Sequence, residues 1–324
     1  MQTPPSSVLR SPSSVSHSAF TAPLTGDTAI IACHFNPAGY ERPRLNLVHF
    51  LDSLAAVGFP VFMAEGTLPG HRRILPECPR VIHAEAKSKI WLKESLLNLA
   101  ETIVPQQFTK LAWVDADMIF SSVTWLPQLS TLLDSYQIAQ PYSRVQYLDR
   151  DGKPTHVKSS AGLGSLRGSP NRGNWANFQP GGAVAAQRKL FTELGGLYNS
   201  PVGQGDSVLA LGALDRFSST HPSCQVPRPI LEDYQAYAKK ITEWTHGTIG
   251  VVLDSTITHL WHGERGNRGY LERLALLKDF QPKHHLTTPT PDDPLPHWTP
   301  EALTRHPEMV ANIANYFSSR KEDG

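Results

Sequence analysis

The chain has 324 residues, a formal net charge of +1, 40% hydrophobic residues and 18% charged residues. That length can bury a full-sized core, as one large domain or two small ones, and the composition excludes a disordered or fibrous chain. A charge so near zero excludes an overall basic field for nucleic acid or anionic membrane, and no apolar run approaches the roughly 20 residues that span a bilayer.

Residues 1–25 are rich in Ser and Pro, with no continuous apolar segment. They are expected to form a flexible tail without a secretory signal, which places the protein in the cytoplasm. "DTAIIACHF" (27–35) predicts a buried strand, and "RPRLNLVHFLDSLAAVGF" (42–59) an amphipathic helix closed by Gly58. "PVFMAEG" (60–66) and "RVIHAE" (80–85) predict short strands. "SKIWLKESLLNLAETIV" (88–104) has helical periodicity, with Ile90, Leu92, Leu96, Leu97, Leu99 and Ile103 on its apolar face. "KLAWVDADMIF" (110–120) follows as a strand and "TWLPQLSTLLDSY" (124–136) as a helix. Strands alternating with helices at this pitch imply an α/β fold with a mostly parallel central sheet covered on both faces.

Residues 144–175 change texture, being rich in Gly, Ser and basic residues and lacking periodicity, and are expected to form a long loop. Its Arg144, Arg150, Lys153, Lys158, Arg167 and Arg172 suit either a lid over a ligand or a solvated, mobile segment. Trp175 suits a stacking role on a ligand, but an isolated Trp is more often a core residue. Order returns as a strand and helix over 179–197, then helices at "GDSVLALGAL" and "LEDYQAYAKKITEW". Residues 249–280 read as strand, turn and a last long helix. The main folded domain is expected over 26–282, and 283–324 form a Pro-rich extension with a weak, short helix around 300–317. Cys33, Cys78 and Cys224 are odd in number and widely spaced, as expected of reduced thiols.

Three short blocks carry chemistry. Asp115 and Asp117 end an apolar run, two apart, so on an extended strand both side chains share a face at its C-terminal end, where open α/β sheets bind ligands. Two such carboxylates are costly together unless a cation sits beside them, and a hard divalent ion removes the cost. The alternative is a solvated acid pair beginning a surface loop. His259 and His262, three apart after a strand, can face one point, and imidazole with carboxylate suits Mn2+; alternatively one packs in the core and the other faces solvent. Asp206, flanked by glycine before a helix, suits an N-cap, a general base, or both.

The Asp-x-Asp strand, then "QPGGAVAAQRKLFTELGGLYNSPVGQGDS", then "HLWHG", in that order, resembles the GT-A fold glycosyltransferases, of the galactosyltransferase C-terminal type. The likeness spans approximately Ile30 to Phe280 and leaves 144–175 unmatched. It implies a Rossmann-like nucleotide-diphospho-sugar transferase fold and a Mn2+ (or Mg2+) cofactor. It further implies transfer of a hexose from a nucleoside diphosphate sugar, UDP by analogy, to a hydroxyl of a saccharide or other acceptor. By that resemblance Asp117 is the direct metal ligand, and Asp115 contacts the ribose or metal-bound water. His262 completes the metal site, joined by His259 as in some members. Asp206 is the base that deprotonates the acceptor, which implies inversion at the anomeric carbon. Pro180, Gly181 and Gly182 lie under the donor sugar, and Phe35, Asn36 and Arg44 are carried over to the nucleotide. The family's Gly-Glu-Asp is Gly205-Asp206 here, without the Glu. Competing readings are sugar transfer to a hydroxymethylated pyrimidine in nucleic acid, a metal-dependent nucleotide-sugar hydrolase, and a non-catalytic nucleotide-sugar binder.

Overall fold

The computed structural model describes residues 15, 17–167 and 177–324. Thr28–Phe35 (β1) is buried along most of its length because both of its faces are covered. Ala29 and Ile31 enter one apolar cluster, Ile30 and Ala32 the other. Glu41–Val57 (α1) turns its apolar stripe onto the second cluster. It ends at Gly58, whose φ of 73° lets its N–H return to Leu54 O at 2.9 Å. Val61–Thr67 (β2) and Val81–Glu85 (β3) extend the sheet in parallel.

Lys93–Glu101 (α2) is shorter than the helix predicted over 88–104. The Trp91 N–H donates to Pro201 O at 2.9 Å, a tertiary bond that holds the segment before α2 out of the helix. The strand predicted over 110–120 divides: Lys110–Val114 (β4) pairs in parallel with β1, the chain turns at 116–117, and Met118–Phe120 (β5) joins a second sheet. Trp125–Leu133 (α3) and Ile138–Gln140 (β6) follow.

The stretch expected to be a loop from residue 144 is ordered structure up to residue 167. Arg144–Leu148 (β7) and Pro154–Ser160 (β8) form an antiparallel hairpin, followed by Ala161–Leu166 (α4). Asp149 makes the turn, its Oδ1 accepting from the N–H groups of Asp151 and Lys153 at 2.9 and 2.8 Å. The "DRDG" run carries that turn chemistry, which the Gly/Ser/basic texture concealed. Arg172 and Trp175 lie outside the described residues.

Phe178–Gln179 (β9), Ala183–Gln187 (β10), Arg188–Leu194 (α5), Gly205–Ala213 (α6) and Arg228–Thr245 (α7) come next, then Gly250–Val251 (β11) and Thr256–His259 (β12). In place of a last long helix, short 3-10 turns run over Arg265–Arg268 and Glu272–Leu277, because the chain turns at Gly269 and brings Arg268 and Arg273 inward. Pro282–His285 (α8), Pro300–Arg305 (α9) and Pro307–Ser319 (α10) complete the chain.

Seven strands in the order β11-β6-β10-β4-β1-β2-β3 make the main sheet, in which β10 runs antiparallel to both neighbours and every other pairing is parallel. A five-stranded sheet, β5-β12-β7-β8-β9, lies beside it in the chain's path. The protein is therefore mixed α/β with a largely parallel central sheet.

Both ends pack more than the sequence suggested. Val15, Ala19 and Phe20 are buried in the second cluster, so packing starts before residue 26; residues 1–14, given to a flexible tail, lie outside the described residues. Leu295, Trp298, Ala302, Met309 and Ile313 belong to the first cluster, so the C-terminal extension is part of the core. Among the described residues no helix is long and apolar enough to cross a membrane. All three cysteines are free thiols.

Candidate active site

Strand pairing assembles the site at the C-terminal edge of the parallel strands. The Asp115 N–H donates to Gly182 O at 2.8 Å, continuing the β4–β10 ladder one residue past Val114. His259 pairs with Met118 across β12 and β5, and the Leu260 N–H donates to Asp117 O at 2.9 Å. Asp117 is thereby fixed beside His259 and His262, although the segments are far apart in sequence.

The three side chains converge. Nε2 of His262 lies 3.1 Å from Asp117 Oδ2 and 3.3 Å from Nε2 of His259. One ligand atom from each of the three falls within 4.8 Å of the others. A single imidazole proton cannot serve both contacts of His262, whereas lone pairs from all three suit one cation. Oδ1 of Asp117 is buried with no hydrogen-bond partner among the described residues, and buried polar atoms are rarely left so. Two imidazoles and a carboxylate are a fitting donor set for a divalent metal cation.

The electrostatics agree. Burial raises the Asp117 carboxyl, but His262 and His259 in their protonated forms, together with Arg268, outweigh it and hold the group below its ordinary value. Burial pulls both imidazoles down, His262 well down, which keeps them neutral as metal ligation requires. His259 is held by stacking on Tyr147, ring centroids 4.8 Å apart, and Tyr147 donates to Gln179 Oε1 at 2.6 Å.

Asp115 answers the like-charge problem differently from the sequence expectation. The acid pair lies on a turn rather than an extended strand, and Asp115 has a counter-charge of its own in Lys93. Asp115 Oδ1 meets Lys93 Nζ at 2.6 Å and is not in the three-residue ligand group. Burial lifts the Asp115 carboxyl to about 6, against Lys93 and with the help of Asp117.

Asp206 lines the same cleft, a cavity of about 230 Å3, as Asp117 and both histidines. It is not the N-cap, a position held by Gln204, but sits in the first turn of α6, its Oδ1 accepting from the Ser207 N–H at 2.8 Å. Gly181 packs against it so closely that a Cβ there would lie 2.1 Å from Asp206 Oδ2. Gly182, at φ 89°, turns the chain where a Cβ would meet the Met118 methyl at 2.8 Å. Gly181→Ala is therefore expected to displace the Asp206 carboxylate. If Asp206 is the base, turnover should fall roughly a hundredfold with nucleotide affinity little changed; unaltered turnover would remove the need for that exact placement.

The nucleotide assignments separate. Phe35 and Asn36 line this cleft and a neighbouring one, whereas Arg44 lines only the neighbour and pairs with Glu41 at 2.5 Å. The Asn36 amide bonds Tyr40 at both ends, donating to its O at 2.6 Å and accepting from its N–H at 3.0 Å, and so staples the loop after β1.

The sequence reading missed much of the wall. Lys93 and Glu94 open α2, Arg268 donates to His262 O at 2.7 Å, and Glu322 sits 3.5 Å from His262 Nδ1 while Arg320 grips it at 2.6 Å. Helical periodicity signalled only α2's apolar face, and nothing in "SSRKEDG" signals a cleft residue. Burial raises Glu94 to about 7, against the pull of Lys93. A carboxyl raised above its ordinary 4.5 binds its proton more tightly folded than unfolded, so its contribution is present below the unfolded value and is lost as pH rises towards 7. Glu94→Gln, which can still accept from Trp91 Nε1, is expected to raise Tm above pH 7, by up to ~3 kcal/mol of stability, and to change it little near pH 4; equal shifts at both pH values would exclude this titration.

No family model matches the sequence, and no curated protein matches it. Solved structures do. The catalytic domain of Drosophila beta1,4galactosyltransferase 7, in complex with xylobiose, is similar with 12% identity over 58% of this chain and 61% of that one, at a TM-score of 0.29. This chain thus spans about three fifths of that domain. Glucosyl-3-phosphoglycerate synthase from Mycobacterium tuberculosis, with Mn2+, UDP and phosphoglyceric acid, is similar with 14% identity over 84% and 86%, at a TM-score of 0.38. GalNAc-T7 with UDP, GalNAc and Mn2+ is similar with 14% identity over 72% and 44%, at a TM-score of 0.37. Likenesses at these scores carry no argument about activity, which rests on the geometry of the cleft.

Proposed function

We propose that this protein is a metal-dependent glycosyltransferase of GT-A architecture, moving a hexose from a UDP-sugar to a hydroxyl acceptor with inversion. One observation carries the reading: Asp117, His259 and His262 turn their ligand atoms to a common point in the cleft that also holds Asp206. The main sheet supports it, since the cleft lies outside the carboxyl ends of β1 and β4.

Asp117 Oδ2 and the two Nε2 atoms would hold Mn2+ or Mg2+. When bound, such an ion supplies charge stabilisation to a departing diphosphate. Lys93 balances Asp115, so the acid pair does not repel an anionic donor. Asp206 has Oδ1 tied to a backbone N–H and Oδ2 towards Gly181. In the proposed step the acceptor oxygen bonds to the sugar's C1, its proton passes to Asp206, and the bond from C1 to the phosphate oxygen breaks. Attack opposite the leaving group inverts the centre. Phe35 and Asn36 are proposed to border the nucleotide, Gly181 and Gly182 the donor sugar.

The test is thermal shift with a panel of nucleotide sugars, with and without Mn2+, followed by transfer assays and NMR of the product. Stabilisation that needs both Mn2+ and a UDP-sugar is expected. Its absence across the panel overturns the reading, retained anomeric configuration overturns inversion, and donor cleavage that no hydroxyl acceptor diverts indicates a hydrolase.

A further inference from the structure

Arg273 lines the cleft at 7% exposure. It takes part in none of the ion pairs among the described residues, whereas Arg268 and Arg320 both reach Glu322, at 3.7 and 2.6 Å. Its Nη1 donates to Tyr316 Oη at 3.0 Å, and its Nε finds no acceptor among the described residues. Aromatic rings surround it: Trp91 and Tyr270 at 5.3 Å and Tyr316 at 5.9 Å from the guanidinium carbon. Ring faces offset part of the cost of burying a cation, but they do not satisfy its in-plane N–H donors, and Nε is left without an acceptor among the described residues. The planar fork of N–H groups suits a bidentate anion.

Position says which anion. A Cβ on Gly203 would lie 3.1 Å from Arg273 Nη2 and 3.2 Å from the Trp91 ring. Gln204 Nε2 donates to Tyr270 O at 2.9 Å. Gly203 and Gln204 lead directly into α6, whose first turn carries Asp206. Arg268, by contrast, bonds the backbone of His262 and so stands by the metal ligands.

We infer that Arg273, in its cage of Trp91, Tyr270 and Tyr316, binds a carboxylate or phosphate group on the acceptor whose hydroxyl receives the sugar. The word acceptor rests on the transferase reading; the anion subsite does not. A donor diphosphate offers the same chemistry, and the two sources separate by experiment.

The protein is titrated calorimetrically with UDP in the presence of Mn2+. Glycerol 3-phosphate, glycerate and neutral glycerol are then titrated into that mixture, and separately into the protein alone. The anionic probes are expected to bind roughly tenfold or more tighter than glycerol. Arg273→Gln should abolish that preference and leave UDP–Mn2+ affinity unchanged, and Arg273→Lys, which keeps charge but not the fork, should restore it in part. Wild-type protein that binds the neutral and anionic probes equally, or binds neither, overturns the proposal without any variant. A loss of UDP–Mn2+ affinity in Arg273→Gln matching the loss of anion binding would assign the guanidinium to the donor and overturn the acceptor assignment. Arg273-dependent anion binding by a wild-type protein that ignores UDP–Mn2+ would sink the transferase reading while the anion subsite stands.

Discussion

Asp117→Ala is expected to abolish Mn2+-dependent UDP binding and to lower transfer at least roughly a thousandfold. In the proposed site the carboxylate is one of three ligands, and its loss would leave only the two imidazoles. The metal-free fold should tolerate the change well. Among the described residues Asp117 Oδ1 has no partner to lose, the main-chain bond from Leu260 to Asp117 O remains, and the imidazoles, already kept neutral by burial, lose only a modest attraction. Thermal melts with and without Mn2+ check this directly. The wild-type increment should vanish while the metal-free Tm moves little. A variant that keeps its Mn2+ increment would show that the cation, if any, sits elsewhere.

Asp206→Asn should behave in the opposite way, sparing donor binding and cutting kcat by roughly a hundred- to ten-thousandfold. Asparagine can keep the Ser207 N–H bond through its carbonyl oxygen, so the first turn of α6 should hold. What it lacks is a group that accepts the hydroxyl proton. Burst and steady-state kinetics, with UDP affinity measured in parallel, separate the two roles. Near-normal turnover would reduce Asp206 to a favourable charge in the first turn of its helix.

Strand and helix order through the first half was legible because the central strands are apolar on both faces and the helices carry a clear stripe. Ile30 and Ile31, adjacent yet buried in different clusters, show why a continuous apolar run read correctly as a sandwiched strand. Where the reading failed, long-range bonds won over local pattern. Trp91 left its helix for Pro201, and "KLAWVDADMIF" changed sheets after Val114. The candidate site was legible as three blocks because each combines chemistry-bearing side chains with a strand end or a helix start. Lys93, Arg268, Arg273 and Glu322 were not, since a single charged residue in a helix, a turn or a terminal segment looks like solvated surface until tertiary packing encloses it.

The β5–β12 pairing has a consequence for how tightly the domain holds together. Asp117 belongs to the first half of the chain and the histidines to the last quarter, so an ion shared by them closes a very long loop of polypeptide. A ligand that binds only the native arrangement adds stability that grows with the logarithm of its excess over the dissociation constant, and it does so by holding together segments that the unfolded chain leaves far apart. The same cation that would serve the leaving group would thus act as a removable clasp between distant stretches of backbone, and chelation should loosen the five-stranded sheet before it reaches the seven-stranded one.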